Sequence, residues 1–423
     1  MNPTPALTAL GGSAENGRNC YLLSSPAGNI LLDCGVKRVV TDEYVGEYPL
    51  LTREIAAEID AVFLSHAHED HCAALPLFYA LGYDGYVYGS QETIDGAPGM
   101  IRKWMAFAAG QGGTLPFTEE DANRVRFAPL PLGEGMLGGL RIMTGRSGHT
   151  AGSMWIALGY EESGWQLFYS GDMCSCAASL ACDLPPACSY AVLNCAYAGQ
   201  IMDQDEQYRM LTALAEETVG NGGALLLPVP PTGRGCDMLL YLAGALPHAR
   251  IYAAKSILSN AQALLKKREW LRDMLTDAAV LSRVHALDTQ EDYAAACSER
   301  PCILLVTDGM LTTDNGQLCL RLLGHDPANH VVISGHAAPG TLGGNLLNNT
   351  WRNDNNLAIQ AGKMIIKVHL DDRDVLAMQR SLAARYTVFF HAPAAHCQST
   401  IAAYAKEGFS AGVLQPGETF PLV

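Results

Sequence analysis

Three imidazoles and the Asp70 carboxylate crowd into Ser65-His66-Ala67-His68-Glu69-Asp70-His71. His66 and His68 stand two apart, so on an extended loop they point the same way. Asp70 and His71 can then turn toward a second ion. Neutral imidazole and carboxylate suit zinc in type and charge. The spacing therefore predicts two zinc ions with ligands on two sides of one short loop. A solvated polar loop with a chance histidine pair is the plain alternative, and four ligand-type residues at this spacing argue against it. Gly148-His149-Thr-Ala-Gly-Ser153 and Tyr169-Ser-Gly-Asp172 read by themselves as turns.

The elements that must present these groups can be read in outline. The apolar run Ala61-Val-Phe-Leu-Ser65 ends at the histidine cluster, and Asn29-Ile-Leu-Leu-Asp33 is closed by Cys34-Gly35. Two strand patterns, 154–160 and 165–170, flank Glu161-Glu-Ser-Gly164, a hairpin signal. The Gly-rich stretch 110–116 reads as a surface loop. From about 199 the rhythm changes. Asp203 can cap a helix running to Val219, which Gly220-Asn-Gly-Gly223 ends. A strand over 224–229, a helix over 236–245, a strand over 250–254, a long helix through 264–275, and strands at 302–306 and 331–334 follow. This β/α order predicts a parallel sheet with helices on its faces. A strand at 364–368, a helix over 375–384, a strand at 387–390 and a helix over 399–406 close the chain. The reading is one domain over 1–198, an insertion over 199–360, and a return to the first domain over 361–423.

Composition narrows the class. A chain of 423 residues is too long for one compact core. With 49% hydrophobic and 17% charged residues it is globular and not disordered. No apolar run reaches the roughly 18 residues a membrane span needs. The start, MNPTPALTALGG, lacks a basic region followed by an apolar one, so a cytoplasmic location is expected. The 13 cysteines are scattered in apolar runs such as NCYLL and PCILLV, which suits reduced, buried thiols. Cys174, Cys176, Cys182 and Cys188 lack the C-x₂-C spacing of a zinc knuckle. The formal net charge of −15 repels nucleic acid at long range.

The histidine loop resembles the H-x-H-x-D-H signature of the metallo-β-lactamase superfamily. Gly17-Arg-Asn-Cys20 and Leu31-Leu-Asp-Cys-Gly35 resemble its opening strands and characteristic aspartate, and the two turns above resemble its G-H-T-x-G-S and Y-T-G-D. Val331-Val-Ile-Ser-Gly-His-Ala-Ala-Pro-Gly-Thr-Leu-Gly343 resembles the β-CASP signature G-Y/F-x-x-x-G-T-L-G. Leu227-Pro-Val-Pro-Pro-Thr-Gly-Arg234 and Thr307-Asp-Gly-Met-Leu311 also resemble β-CASP segments. Lys367-Val-His-Leu-Asp-Asp-Arg373 aligns with S-x-H-A-D, and Phe389-Phe-His-Ala-Pro393 with V-H-G-E. The resemblance covers essentially the whole chain and is nearest the cleavage-and-polyadenylation endonuclease group and its bacterial ribonuclease relatives. It implies an α/β fold: a metallo-β-lactamase αββα sandwich with an inserted β-CASP α/β domain, a parallel sheet flanked by helices.

The same resemblance implies a ligand set. One zinc would be held by His66, His68, His149 and Asp172, and the other by Asp70, His71, Asp172 and His391. Asp33 would fix the tautomer of a ligand histidine. His396 competes with His391, because Ala392-Pro393 departs from G-E. The implied activity is a zinc-dependent phosphodiester hydrolase, a ribonuclease acting on single-stranded RNA through a hydroxide activated by two zincs. Asp70, Asp33, Asn194 and His369 would be the catalytic residues, with His369 as imidazolium giving the leaving oxygen its proton, typically about 10²–10⁴-fold. Arg234, His336, Gly340 and Thr341 would contact substrate, the last two by opening a helix whose N–H groups face a phosphate. RNA is the expected partner, a membrane is not, and a homodimer is an option. The alternatives are a hydrolase of a small phosphodiester or ester and a catalytically weakened partner protein in RNA processing.

Two departures motivate those alternatives. Asn194 in Leu193-Asn-Cys-Ala-Tyr197-Ala-Gly199 stands where the family carries an acid that pairs with the histidine matching His369. Losing that charge should lower the imidazolium's pKa. Gly343-Gly-Asn345 also lacks the basic residue often found after G-T-L-G, leaving Arg234, Lys255 and Arg373 as candidate phosphate contacts, each equally readable as an ordinary surface charge.

Overall fold

Every second side chain of the opening strands is apolar and faces one way: Leu7, Ala9, Tyr21, Leu23, Ile30 and Leu32 are buried in one cluster. Leu10, Cys20 and Leu31 face the other way and are buried in another. A sheet with both faces covered needs a layer on each side. The computed structural model describes residues 4–160, 164–272, 278–335, 337–338, 340–348 and 355–423, and supplies those layers. The chain forms two compact units, one of 1–175, 182–201 and 369–423, the other of 176–181 and 202–368.

The first unit holds two seven-stranded sheets. One runs, in spatial order, Thr419–Pro421, Ala6–Gly11, Cys20–Ser25, Gly28–Leu32, Ala61–Phe63, Tyr86–Gly89 and Arg126–Pro129. The other runs Ala411–Gly412, Tyr386–Phe390, Tyr190–Asn194, Trp165–Tyr169, Met154–Tyr160, Leu140–Arg146 and Gly133–Leu137. Ile30, Leu32 and Phe63 meet Ile156, Leu167, Val192 and Phe390 in the core between them. Outside the first sheet, Phe78, Ala97, Ile101 and Trp104 from helices Leu75–Ala80 and Gln91–Gly110 cover Leu31, Val62 and Val87. Outside the second, Val375, Met378, Leu382 and Tyr404 from helices Asp372–Leu382 and Ala394–Lys406 cover Phe168, Leu193 and Phe389. The result is an αββα sandwich. Burying one such Leu, Val or Phe side chain contributes roughly 1.5–3 kcal/mol.

The second unit is a six-stranded sheet in the order Val284–Leu287, Ile251–Ala254, Cys302–Val306, Ala224–Pro228, His330–Ile333, Gln360–Lys363. Every pairing in it is parallel. Its inner strands, ALLLP and CILLV, are apolar and fully buried, as a sheet covered on both faces requires. Helix Gln204–Gly220 is capped by the Asp203 side chain. The fold is thus an α/β sandwich and a parallel α/β sheet, as the motifs imply.

Local differences have local causes. The expected helix through 264–275 ends earlier: the helix is Lys255–Leu265, followed by a 3₁₀ turn, Arg268–Trp270. Trp270 and Leu271 are buried, and Leu271 bridges to Leu180, so tertiary pairing overrides helix periodicity there. The strand expected at 364–368 lies at Gln360–Lys363, and beyond it Met364 and Ile366 still donate to the carbonyls of Ile333 and Ser334 at broken spacing. The closing helix starts at Ala394, set by Pro393 at its N-cap. The turn 161–163 of the expected hairpin lies outside the described residues, but its strands pair antiparallel.

Candidate metal centre

The site is built where strands of both sheets end. Strand Ala61–Phe63 delivers the histidine loop, which becomes the single helical turn Glu69–Cys72 with His68 at its N-cap. That turn swings Asp70 and His71 away from His66 and His68. Its backbone is pinned by Asn19 N donating to Asp70 O at 2.9 Å and Cys34 N to His71 O at 2.7 Å. Gly35 is obligatory beside it, because a Cβ there would lie 1.8 Å from the Asp70 carbonyl oxygen. His149 sits on the loop between strands Leu140–Arg146 and Met154–Tyr160. Asp172 follows strand Trp165–Tyr169 after Gly171, whose φ of +50° and close approach to Ser65 suit only glycine. His391 ends strand Tyr386–Phe390 with φ at +64°, a conformation that costs a non-glycine residue about 1–3 kcal/mol and often marks a functional site. Its N–H donates to Gly12 O at 3.0 Å.

These side chains converge into two groups that share Asp172: His66, His68, His149 and Asp172, and Asp70, His71, Asp172 and His391. The donor atoms of each group lie within 4.8 Å of one another. His149 Nε2 is 3.2 Å from His68 Nδ1, and His66 Nε2 and His149 Nε2 lie 3.7 and 3.6 Å from Asp172 Oδ2. On the other side His71 Nε2 is 3.4 Å from Asp172 Oδ1, and His391 Nε2 is 3.1 Å from Asp70 Oδ2. His66 Nε2 is buried with no hydrogen-bond partner among the described residues. Buried imidazole nitrogens facing one another and a carboxylate form a donor set that fits a metal ion.

The electrostatics agree with that fit. Burial pushes His66 well below the usual histidine range, and crowding by His71 and His68 adds to it. Burial and the neighbouring His149 bring His68 to about 4. Both are neutral at pH 7, the form that ligates. The second group behaves otherwise. Burial disfavours a charged His391, but the Asp172 charge and the Asp70 hydrogen bond overcome it and push it up to about 9. His71 is raised against burial by Asp172, Asp70 and Asp33. Asp172 is held well below the usual carboxylate range, burial notwithstanding, by His391, His71 and His369. Protons on His71 and His391 thus stand in for a cation beside Asp70 and Asp172.

Comparison with known proteins gives this arrangement a lineage. Residues 14–162 match the metallo-beta-lactamase superfamily, and residues 238–346 match the Beta-Casp domain. The chain belongs to the metallo-beta-lactamase superfamily and carries a Beta-Casp domain. Transcription termination factor FttA of Methanocaldococcus jannaschii is 28% identical over 362 residues, covering 79% of this chain and 56% of that protein. The RNase J-like protein of the same organism is 26% identical over 357 residues, covering 79% and 78%. Cleavage and polyadenylation specificity factor 73 of Drosophila melanogaster is 25% identical over 357 residues, covering 79% and 51%. The chain spans little more than half the length of the FttA relatives. A protein of unknown function from Enterococcus faecalis V583 shares the fold, with a TM-score of 0.62 at 12% identity, covering 99% of this chain and 100% of that one.

Around this centre the remaining expected residues fall as follows. Asp33, itself at φ +58°, lies beneath the second group and accepts from His71 Nδ1 at 2.6 Å and from Ser65 N and Oγ at 2.7 Å each. The Tyr169 hydroxyl also donates to it. Hence the His71 Nε2 lone pair, not Nδ1, is left for an ion. His369 packs against His149 and His391 with tilted rings at centroid distances of 4.8 and 5.0 Å, and its Nδ1 lies 3.8 Å from Asp172 Oδ2. Burial pushes it well below the usual histidine range, against the pull of Asp172 and with the help of His149 and His391. That direction agrees with the lowered imidazolium pKa expected from Asn194. Asn194 Nδ2 donates to Asp172 Oδ1 at 2.8 Å, so its partner is the shared carboxylate. His396 is exposed in the first turn of the closing helix and belongs to neither group.

Of the expected substrate contacts, Arg373 lies in the first unit and the others in the second. Arg234 opens helix Arg234–Ala245, and its Nε donates to the Ile366 carbonyl at 2.8 Å. Thr341 caps helix Leu342–Leu346 after Gly340, but Gly344 N already donates to Thr341 Oγ1 and Gly343 N to Met310 O. Those two N–H groups are taken within the chain. Lys255 is exposed and paired with Asp288 at 2.6 Å. His336 lies outside the described residues. Sequence reasoning gave no role to Asn19, Ser65 or Tyr169, though all three touch the ligands or Asp33. The only signal was their place in segments already singled out, GRNC, SHAHEDH and YSGD.

Proposed function

We propose that this chain is a metal-dependent phosphodiester hydrolase that cleaves single-stranded RNA, with two zinc ions as its metals. The observation that supports it most is the pair of four-residue donor groups joined through Asp172, with His369 packed over them. Names such as RNase J-like protein among the relatives point the substrate toward RNA. His66, His68, His149 and Asp172 would hold one ion, and Asp70, His71, Asp172 and His391 the other. Zinc held so supplies Lewis acidity toward a phosphoryl oxygen and generates a nucleophile from water at neutral pH. Asp172, shared by both groups, fixes their spacing. Asp33 holds His71 in the tautomer that presents Nε2. His369 would orient an oxygen of the scissile phosphate with one N–H.

The test is cleavage of a labelled single-stranded RNA by zinc-loaded protein, beside a panel of small phosphodiesters and esters. Turnover of RNA that vanishes with chelation and in His68→Ala supports the proposal. Full activity without metal overturns the mechanism. Turnover confined to the small esters overturns the substrate, and silence on every substrate by a protein that binds zinc would leave a partner protein with a weakened site.

A further inference from the structure

Asn19 belongs to no ligand group, yet it touches two of the residues in one of them. It is fully buried. Its side-chain Nδ2 donates to Asp70 Oδ2 at 3.3 Å and to the Asp70 carbonyl at 3.1 Å, and lies 2.9 Å from His71 Nε2. Its backbone closes the same contact, N donating to Asp70 O at 2.9 Å and O accepting from Gly35 N at 3.1 Å. The space around it is shaped to fit. A Cβ at Gly12 would lie 2.4 Å from Asn19 Oδ1 and 3.0 Å from the Tyr21 hydroxyl, and Gly12 has φ +86°. Gly12 is also the residue whose carbonyl takes the His391 N–H. One loop therefore anchors Asp70, the Nε2 face of His71 and the backbone of His391, all of them in the second group. No such contact reaches His66, His68 or His149 among the hydrogen bonds of Asn19 given by the described residues.

We infer that Asn19 is a positioning residue for one metal position only, the one formed by Asp70, His71, Asp172 and His391. The inference rests on the two-ion reading proposed above. With an ion on His71 Nε2, the amide keeps its two bonds to Asp70 and holds that carboxylate to one orientation. Loss of a group that orients a ligand typically lowers metal affinity by about 10–100-fold. The asymmetry is the distinctive claim, since a residue that merely supports the fold would weaken both positions together.

Zinc titration against a chromophoric chelator, read as stoichiometry and affinity, tests it on the full chain. Asn19→Leu keeps the branched shape and removes the donors, and Asn19→Ala removes both. Melting of the metal-free proteins reports any general loss of structure. The expected result is two ions in the parent, with one of the two weakened about 10–100-fold in each variant and the other unchanged. Two ions at parental affinity in Asn19→Leu, or equal weakening of both with a matching drop in melting temperature, overturns the inference. A parent that binds no zinc overturns the two-ion reading itself.

Discussion

Asn194 donates its side-chain N–H to Asp172 Oδ1 at 2.8 Å, inside a fully buried pair. A hydrogen bond to a charged acceptor contributes roughly 1.5–3 kcal/mol, so this amide helps keep Asp172 ionised between five imidazoles. An aspartate at 194 would face Asp172 with a like charge instead. Asn194→Asp should therefore lower the melting temperature of the metal-free protein by several degrees. It should also tighten zinc, because added negative charge favours a cation. Differential scanning calorimetry of the stripped protein and a chelator titration check the two effects. An unchanged or raised melting temperature would show that Asn194 is not acting through Asp172.

Asp33 accepts from His71, Ser65 and Tyr169 at once, with no side-chain exposure. Replacing it by asparagine keeps the shape and removes the charge that selects the His71 tautomer. Zinc affinity in Asp33→Asn should fall about 10–100-fold, chiefly in the group that contains His71. Equilibrium dialysis measures it, and parental affinity in a well-folded variant would refute the role.

How much of this was visible beforehand differs by layer. Ligand residues announce themselves, because a metal demands particular atoms at short spacing, and His66, His68, Asp70 and His71 lie on one loop. Asp172, His149 and His391 were reachable only through resemblance, since nothing local says that three separate turns meet. The two sheets were legible from apolar alternation, whereas the early end of helix Lys255–Leu265 depends on Leu271 finding Leu180 across the unit. The direct partner of Asn194 was not legible for a related reason. Its type and position suggested a weakened link to His369, but a buried amide bonds to whichever acceptor lies nearest, and that is Asp172. The roles of Asn19 and Tyr169 were invisible, because asparagine and tyrosine carry no spacing rule of their own.

Gly35 shows how narrow the tolerance is. A Cβ at this position would stand 1.8 Å from the Asp70 carbonyl oxygen and 2.4 Å from His71 N. Both are backbone atoms, so the histidine turn itself must move. Overpacking typically costs about 1–3 kcal/mol, occasionally more. Gly35→Ala should lose that much stability and most of its zinc, measured by denaturant unfolding and metal analysis. A variant with parental stability and metal content would show that the turn shifts freely.

Proton competition gives the last prediction. In the metal-free protein His391 is pushed up to about 9 by Asp172 and the Asp70 hydrogen bond, and His71 is raised as well. A histidine raised in the folded state stabilises it fully below the unfolded value, near 6.5, and that contribution is lost as pH rises through the folded value. The metal-free protein should accordingly lose stability between about pH 6.5 and 9. Zinc must displace the same protons, so its apparent affinity should rise across this window, with proton release on binding. In His391→Ala the remaining rise should be shallower, because one displaced proton is gone. Calorimetric titrations in buffers of different ionisation enthalpy count those protons. An affinity that stays flat from pH 7 to 9 in the parent would mean that His391 holds no proton for an ion to displace.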